Sequence, residues 1–211
     1  MGFLDWFRGS APINDRPALL EYLDSRASFL TQKGIFDFTR AAAGPSFSSL
    51  IKETAFAEAV DEARWKSYPL TLSCVVEMVH GVLRPLAKGA MPLAEALQTA
   101  AFEIIDRYPA PKAIEPAAWK ESRDALGLRI IHIALHPPKH VKDIPLQIAP
   151  QFYDNLPIHE RVRGSANEIV TNNLRTSLIR MHEEFERTAN GSALVEALGV
   201  AAGGDVARHG G

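Results

Sequence analysis

Apolar side chains in this chain recur every three or four residues and almost never alternate, so helices rather than strands must build its core. In "RPALLEYLDSRASFLTQKG", Leu19, Leu20, Leu23, Ala27 and Leu30 share one helical face, Asn14 and Asp15 precede it, and Gly34 suits its stop. Thr54 suits the cap of a helix bearing Phe56, Ala59, Val60 and Ala63, after which Ser67 and Pro69 open a more apolar helix reaching about Pro85. Pro92 falls in the first turn of the next helix, where its missing N–H costs nothing, with Leu93, Leu97, Ala100 and Ile104 inward. "RYPAPKAIEP" reads as a rigid loop, and residues 116–135 as a helix stopped by Pro137 and Pro138. Three prolines limit residues 141–163 to short helical pieces. A long helix is expected over about 165–188, with Val170, Leu174, Leu178, Met181 and Phe185 inward. Asn190 and Gly191 break it before a last short helix carrying Leu194, Val195 and Leu198.

The expectation is an all-α, single-domain bundle of about seven or eight helices. An apolar N-terminal arm (1–13) is expected to precede the helical domain (14–200), and a disordered tail (201–211) to follow it. A chain of 211 residues can bury one substantial core. A net charge of -2 leaves no electrostatic footprint for nucleic acid. Cys74 is the single cysteine, so no internal disulfide forms and a reducing cytoplasm is the expected setting. "PLTLSCVVEMVHGVLRPL" is interrupted by Glu77, His80 and Arg84, which argues against a membrane span.

Two segments repeat a pattern. "VHGVLRPLAKGAMPLAEA" from Val79 and "IHIALHPPKHVKDIPLQIA" from Ile131 both read apolar, His, two residues, Leu, one residue, Pro, with His80 and His132 offset by 52. Upstream, Trp65-Lys66 echoes Trp119-Lys120 at an offset of 54. Such a unit would be a helix, a proline-terminated turn and a second helix, giving two duplicated helical hairpins.

His132 and His136, one helical turn apart, are the metal candidates, since two imidazoles on one face can reach one ion. Against that reading, Pro137 and Pro138 keep His140 off the same helix, and Arg129 shares the polar stripe of Glu121, His132 and His136. The simpler reading makes His136 a helix-end residue, because its counterpart in the other segment is Arg84. Glu77 and His80 form the only "ExxH" and are expected to be a buried, hydrogen-bonded polar pair; di-iron bundles need two such motifs. Cys74, in an apolar helix, is expected to be inert. The serines of "GPSFSSL" have no base at a recognisable spacing, and no "GxSxG" elbow or phosphate-binding glycine loop occurs. His159, Arg161 and Arg163, ahead of a helix N-terminus, are the candidate anion or ligand site. In "GFLDWF", Phe3, Trp6 and Phe7 share a helical face beside Leu4, forming a docking arm for the protein itself, a twin subunit or, weakly and reversibly, a membrane surface.

Over "INDRPALLEYLDSRASFLTQKGIFDF", "HPPKHVKDIP" and "LPIHERVRG" the chain resembles a bacterial family of helical proteins without a settled function, some members of which carry the label esterase. The resemblance covers about residues 12–188 and implies an all-helical fold. The leading expectation is a non-enzymatic protein that needs no cofactor and acts through a protein partner or self-association. The alternatives are an esterase-like hydrolase or metal enzyme using His132, His136 and His159, and a helical domain binding a small ligand or lipid.

Overall fold

The computed structural model describes residues 12–157 and 167–202. Among these residues lie eight α-helices: α1 (Arg16–Ala43), α2 (Phe47–Leu50), α3 (Thr54–Leu83), α4 (Ala90–Ile105), α5 (Pro116–Ile133), α6 (Ala149–Asp154), α7 (Asn167–Thr188) and α8 (Gly191–Ala197). The two isolated bridges, Ile13–Ala189 and Ala87–Ala201, are the only β-type pairings among the described residues. The protein is all-α, and one core joins every long helix.

The inward faces lie where the periodicity places them. Leu19 and Leu23 of α1, Leu93, Leu97 and Ile104 of α4, and Leu174, Leu178 and Phe185 of α7 are all fully buried. Helix α3 lies at the centre, packed on α1, α4, α5 and α7, and from Ser67 to Val76 every residue is buried. That position explains the first departure from expectation. Two helices meeting at Ser67 and Pro69 are instead one helix of 30 residues with Pro69 inside it. Proline removes one i→i−4 hydrogen bond. Burial on all sides still holds the segment helical, and buried hydroxyls bond backbone carbonyls around it. Ser73 donates to the Leu70 carbonyl at 2.6 Å, and Thr71 and Thr31 share an O–O hydrogen bond of 2.6 Å, with Thr31 donating to Ala27.

The second departure is at Gly34, which does not stop α1. Asp15 caps the helix by accepting from the Ala18 N–H at 2.8 Å, and the helix ends ten residues beyond Gly34, at Gly44, whose φ of 52° suits glycine. Gly34 serves packing. A Cβ there would lie 2.6 Å from Cζ of Phe152, so its absence lets α6 seat on α1.

The ends of the described chain fold back onto the bundle. The Ile13 N–H donates to the Thr188 carbonyl and the Asn190 N–H to the Ile13 carbonyl, both at 3.0 Å, so Ile13 belongs to the domain and not to the arm. Likewise the Lys88 N–H bonds Val200 and the Ala202 N–H bonds Leu86, which draws Ala201 and Ala202 out of the expected tail and into the domain. Helices α3 and α5 run parallel: Trp65 meets Trp119 edge-on at 5.7 Å near one end, and Arg84 Nη1 reaches the His136 carbonyl at 2.7 Å beyond the other.

Candidate functional site

His132 is exposed on the outer face of α5, flanked by Leu128 (74 % exposed) and Leu135 (64 %), so this face is less polar than its charged residues suggest. His136 lies beyond the end of α5. Its Nδ1–H donates to the Pro137 carbonyl at 2.8 Å while its own carbonyl accepts from Arg84. Those contacts tie it to a helix end. Among the described residues no cluster of three or more His, Cys, Asp or Glu side chains could hold a metal ion. His159, Arg161 and Arg163 lie outside the described residues, as do Phe3, Leu4, Trp6 and Phe7.

Glu77 and His80 both face the interior, but their partners are not each other. Glu77 accepts from Lys139 Nζ at 2.7 Å, a residue supplied by the turn after α5. His80, with 1 % exposure, bonds the Ala90 carbonyl through Nε2 at 3.1 Å, and its Nδ1 is buried without a partner. Lysine at the far end of a proline turn offers Glu77 a full positive charge, which a histidine kept neutral by burial cannot match. Burial drives the His80 pKa below its ordinary value, beyond what the bond to Ala90 restores. His80, Glu77, Lys139, His182 and Ile144 line a cavity of about 290 Å³ between α3, the 3-10 turn Val141–Gln147 and α7. On its rim His182 Nδ1 lies 3.3 Å from Glu186.

The larger feature is a groove of about 950 Å³ along the outer side of α1, bounded by α3 and by Tyr108 after α4. Its lining runs from Glu21 to Arg40, about 28 Å at 1.5 Å per helical residue. Phe29, Phe36, Trp65, Tyr68 and Tyr108 supply aromatic surface, and Asp24 supplies the acceptor at one end. Asp24 accepts from Tyr68 at 2.6 Å and from Tyr108 at 2.9 Å, with Arg107 at 3.9 Å. Trp65 packs against Tyr68, Tyr108 and Trp119 with ring centroids 5.3 to 6.2 Å apart, and the Arg64 guanidinium covers its ring at 4.5 Å. Sequence reasoning missed this groove. Asp24, Trp65 and Tyr108 are far apart along the chain, and no spacing joins them.

Burial, then the hydrogen bond to Asp24 and its charge, push the Tyr108 hydroxyl up to about 12; the same causes hold Tyr68 higher still. Burial, then the Glu184 charge, raises Tyr22. These phenols stay protonated at neutral pH, and those of Tyr68 and Tyr108 donate to the Asp24 carboxylate. The Cys74 thiol is likewise pushed up by burial and is inert. Raised folded-state values mean that the stability these tyrosines contribute is intact below pH 10 and is lost as pH climbs toward 12. An absorbance titration at 295 nm should therefore find Tyr22, Tyr68 and Tyr108 still un-ionised at about pH 10.5, with unfolding at higher pH. Ionisation of Tyr68 and Tyr108 near pH 10 in the folded protein would contradict the Asp24 geometry.

No helix among the described residues is long and apolar enough to cross a membrane. The fold defines the chain as an all-α single-domain protein. No protein-family model, curated protein or solved structure matches it.

Proposed function

We propose that the protein is a non-enzymatic docking protein whose α1–α3 groove receives an aromatic peptide segment, in the first instance residues 1–9 of a second copy. The observation that carries this reading is the groove itself, a trough too long for a compact metabolite, with Phe29 and Phe36 along α1 and the Trp65, Tyr68 and Tyr108 cluster beside Asp24 at one end. Extended trough and short aromatic segment match in chemistry. Phe3, Trp6 and Phe7 would stack on Phe29, Phe36 and Trp65. Asp5 would meet Arg40 or Arg64, and Arg8 would meet Glu21 or Asp24. Aromatic anchors surrounded by charged rims are the usual composition of a binding hot spot.

The test is the mass in solution of the full chain, of a chain lacking residues 1–9, and of the Phe36→Asp variant. Phe36 is 52 % exposed, so the substitution leaves the core alone. At about 100 µM the full chain should exceed its monomer mass of 23.1 kDa, and both altered proteins should return to it. A synthetic peptide of residues 1–9 should bind the truncated chain in a calorimeter, and Phe36→Asp should weaken that binding at least tenfold. A monomeric full chain together with no heat from the peptide would rule the reading out.

A further inference from the structure

Gly81 lies inside α3, where glycine weakens a helix relative to alanine. At Gly34, Gly127 and Gly191 a Cβ would come within 2.5 to 2.6 Å of a neighbouring side chain, so packing explains those glycines. At Gly81 a Cβ would meet nothing within 4 Å, so the described residues leave open a space that glycine keeps clear. Gly81 lines the cavity of about 290 Å³ beside α3 and α7. The reachable apolar walls of that cavity are the half-buried Val82 and Val141 and the exposed Pro85 and Pro138. Glu186 stands at its rim with a side chain 56 % exposed, its carboxylate 3.3 Å from the His182 imidazole.

We propose that residues 203–211 of the same chain pass over Gly81 and dock in this cavity, with Val206 against Val82 and Val141 and Arg208 on Glu186. The described end of the chain is aimed there. Ala87 and Ala201 form an antiparallel bridge, and the Ala202 N–H bonds the Leu86 carbonyl at 3.2 Å. Continued in the same sense, the chain beyond Ala202 runs past Pro85 toward Gly81. Leu86 and Gly81 are about 8 Å apart along the helix axis, and the four residues from Ala202 to Val206 reach up to about 14 Å. Chemistry agrees with reach. Val206 brings an apolar side chain to apolar walls, and Arg208 brings a guanidinium to an accessible carboxylate, where it forms a charge-assisted hydrogen bond. The cavity shares no residue with the α1–α3 groove, so the two dockings stand or fall separately.

Methyl NMR of the full chain with labelled valines tests the contact. The Val206 methyls are assigned by their loss in Val206→Asp. Nuclear Overhauser cross-peaks from Val206 to Val82 or Val141 are expected in the unsubstituted chain, and Val206→Asp should move the Val82 and Val141 resonances. Gly81→Leu fills the open space and should remove the cross-peaks. No cross-peaks from Val206 to either valine, or cross-peaks that persist in Gly81→Leu, would overturn the proposal. A mixture of labelled and unlabelled chains identifies whose tail is bound. Cross-peaks confined to one copy are expected; cross-peaks between copies would give the cavity to a second molecule and overturn the assignment to the chain's own tail.

Discussion

Replacing Arg26 with alanine is expected to destabilise the protein by about 3–5 kcal/mol, the usual cost of removing one partner from a buried ion pair. Arg26 of α1 meets Glu184 of α7 through two parallel bonds, Nε to Oε2 at 2.9 Å and Nη2 to Oε1 at 2.5 Å. The two side chains are only 17 % and 9 % exposed, so solvent does little to screen the charge left behind. Around the pair, Tyr22 donates to the Met181 carbonyl at 2.8 Å and packs on Phe185 at 5.1 Å, while the Arg26 guanidinium lies 5.3 Å from the Tyr22 ring. The pair and the Tyr22–Met181 bond together form a polar seam between α1 and α7. If the loss comes from the buried carboxylate deprived of Arg26, Arg26→Met with Glu184→Met should recover most of it, because an apolar pair of similar size is commonly as stable as a buried ion pair. Urea unfolding with unchanged m-values would measure this. A double variant as unstable as Arg26→Ala would instead assign the stability to the charges themselves.

Much of the architecture was legible because the periodicity of a buried helix face is a local signal. The inward residues of α1, α4 and α7 are read correctly from spacing alone. Errors arose where long-range packing overrode a local stop. Gly34 has the composition of a helix terminus, but the ring that needs its missing Cβ is Phe152, more than a hundred residues away. Pro69 has the look of a helix start, and burial from Ser67 to Val76 carries the helix through it. The candidate sites followed the same rule. His136 lies just past α5, its imidazole on the Pro137 carbonyl and its own carbonyl on Arg84 Nη1, a long-range contact that no local spacing announces. His80 was legible as buried, but Glu77 is only half-buried, and the partners Lys139 and Ala90 are delivered by a turn and a following helix. The groove was invisible, since no spacing joins Asp24 to Tyr108.

The repeat pattern gains a physical context from the parallel packing of α3 on α5. Residues in corresponding positions touch one another: Trp65 meets Trp119, and Arg84 reaches His136. These two contacts join residues 54 and 52 positions apart along the chain. The packing places the His80 cavity beside the turn that follows α5, where Lys139 enters and pairs with Glu77.

Gly34→Val should cost about 2 kcal/mol or more, and that cost should largely disappear when Phe152 is truncated. Alone, the substitution puts a branched side chain where the Phe152 ring already approaches to 2.6 Å of the Cβ position. Overpacking of this kind typically costs about 1–3 kcal/mol, and the gain in helix propensity over glycine offsets only a few tenths. Phe152 is fully buried and has little room to retreat, because Tyr153 beside it packs edge-on against Phe38 at 5.7 Å. Phe152→Ala alone should cost about 3–5 kcal/mol through the cavity it opens between α1 and α6. In the double variant the valine methyls enter that cavity, so the two costs should fall short of their sum by about 2 kcal/mol. Additive costs would mean that α6 shifts away from α1 when Gly34 is filled, and that the close approach of ring and helix is not what fixes α6 in place. The coupling therefore tests whether one glycine, and not a helix stop, is what the chain needs at position 34.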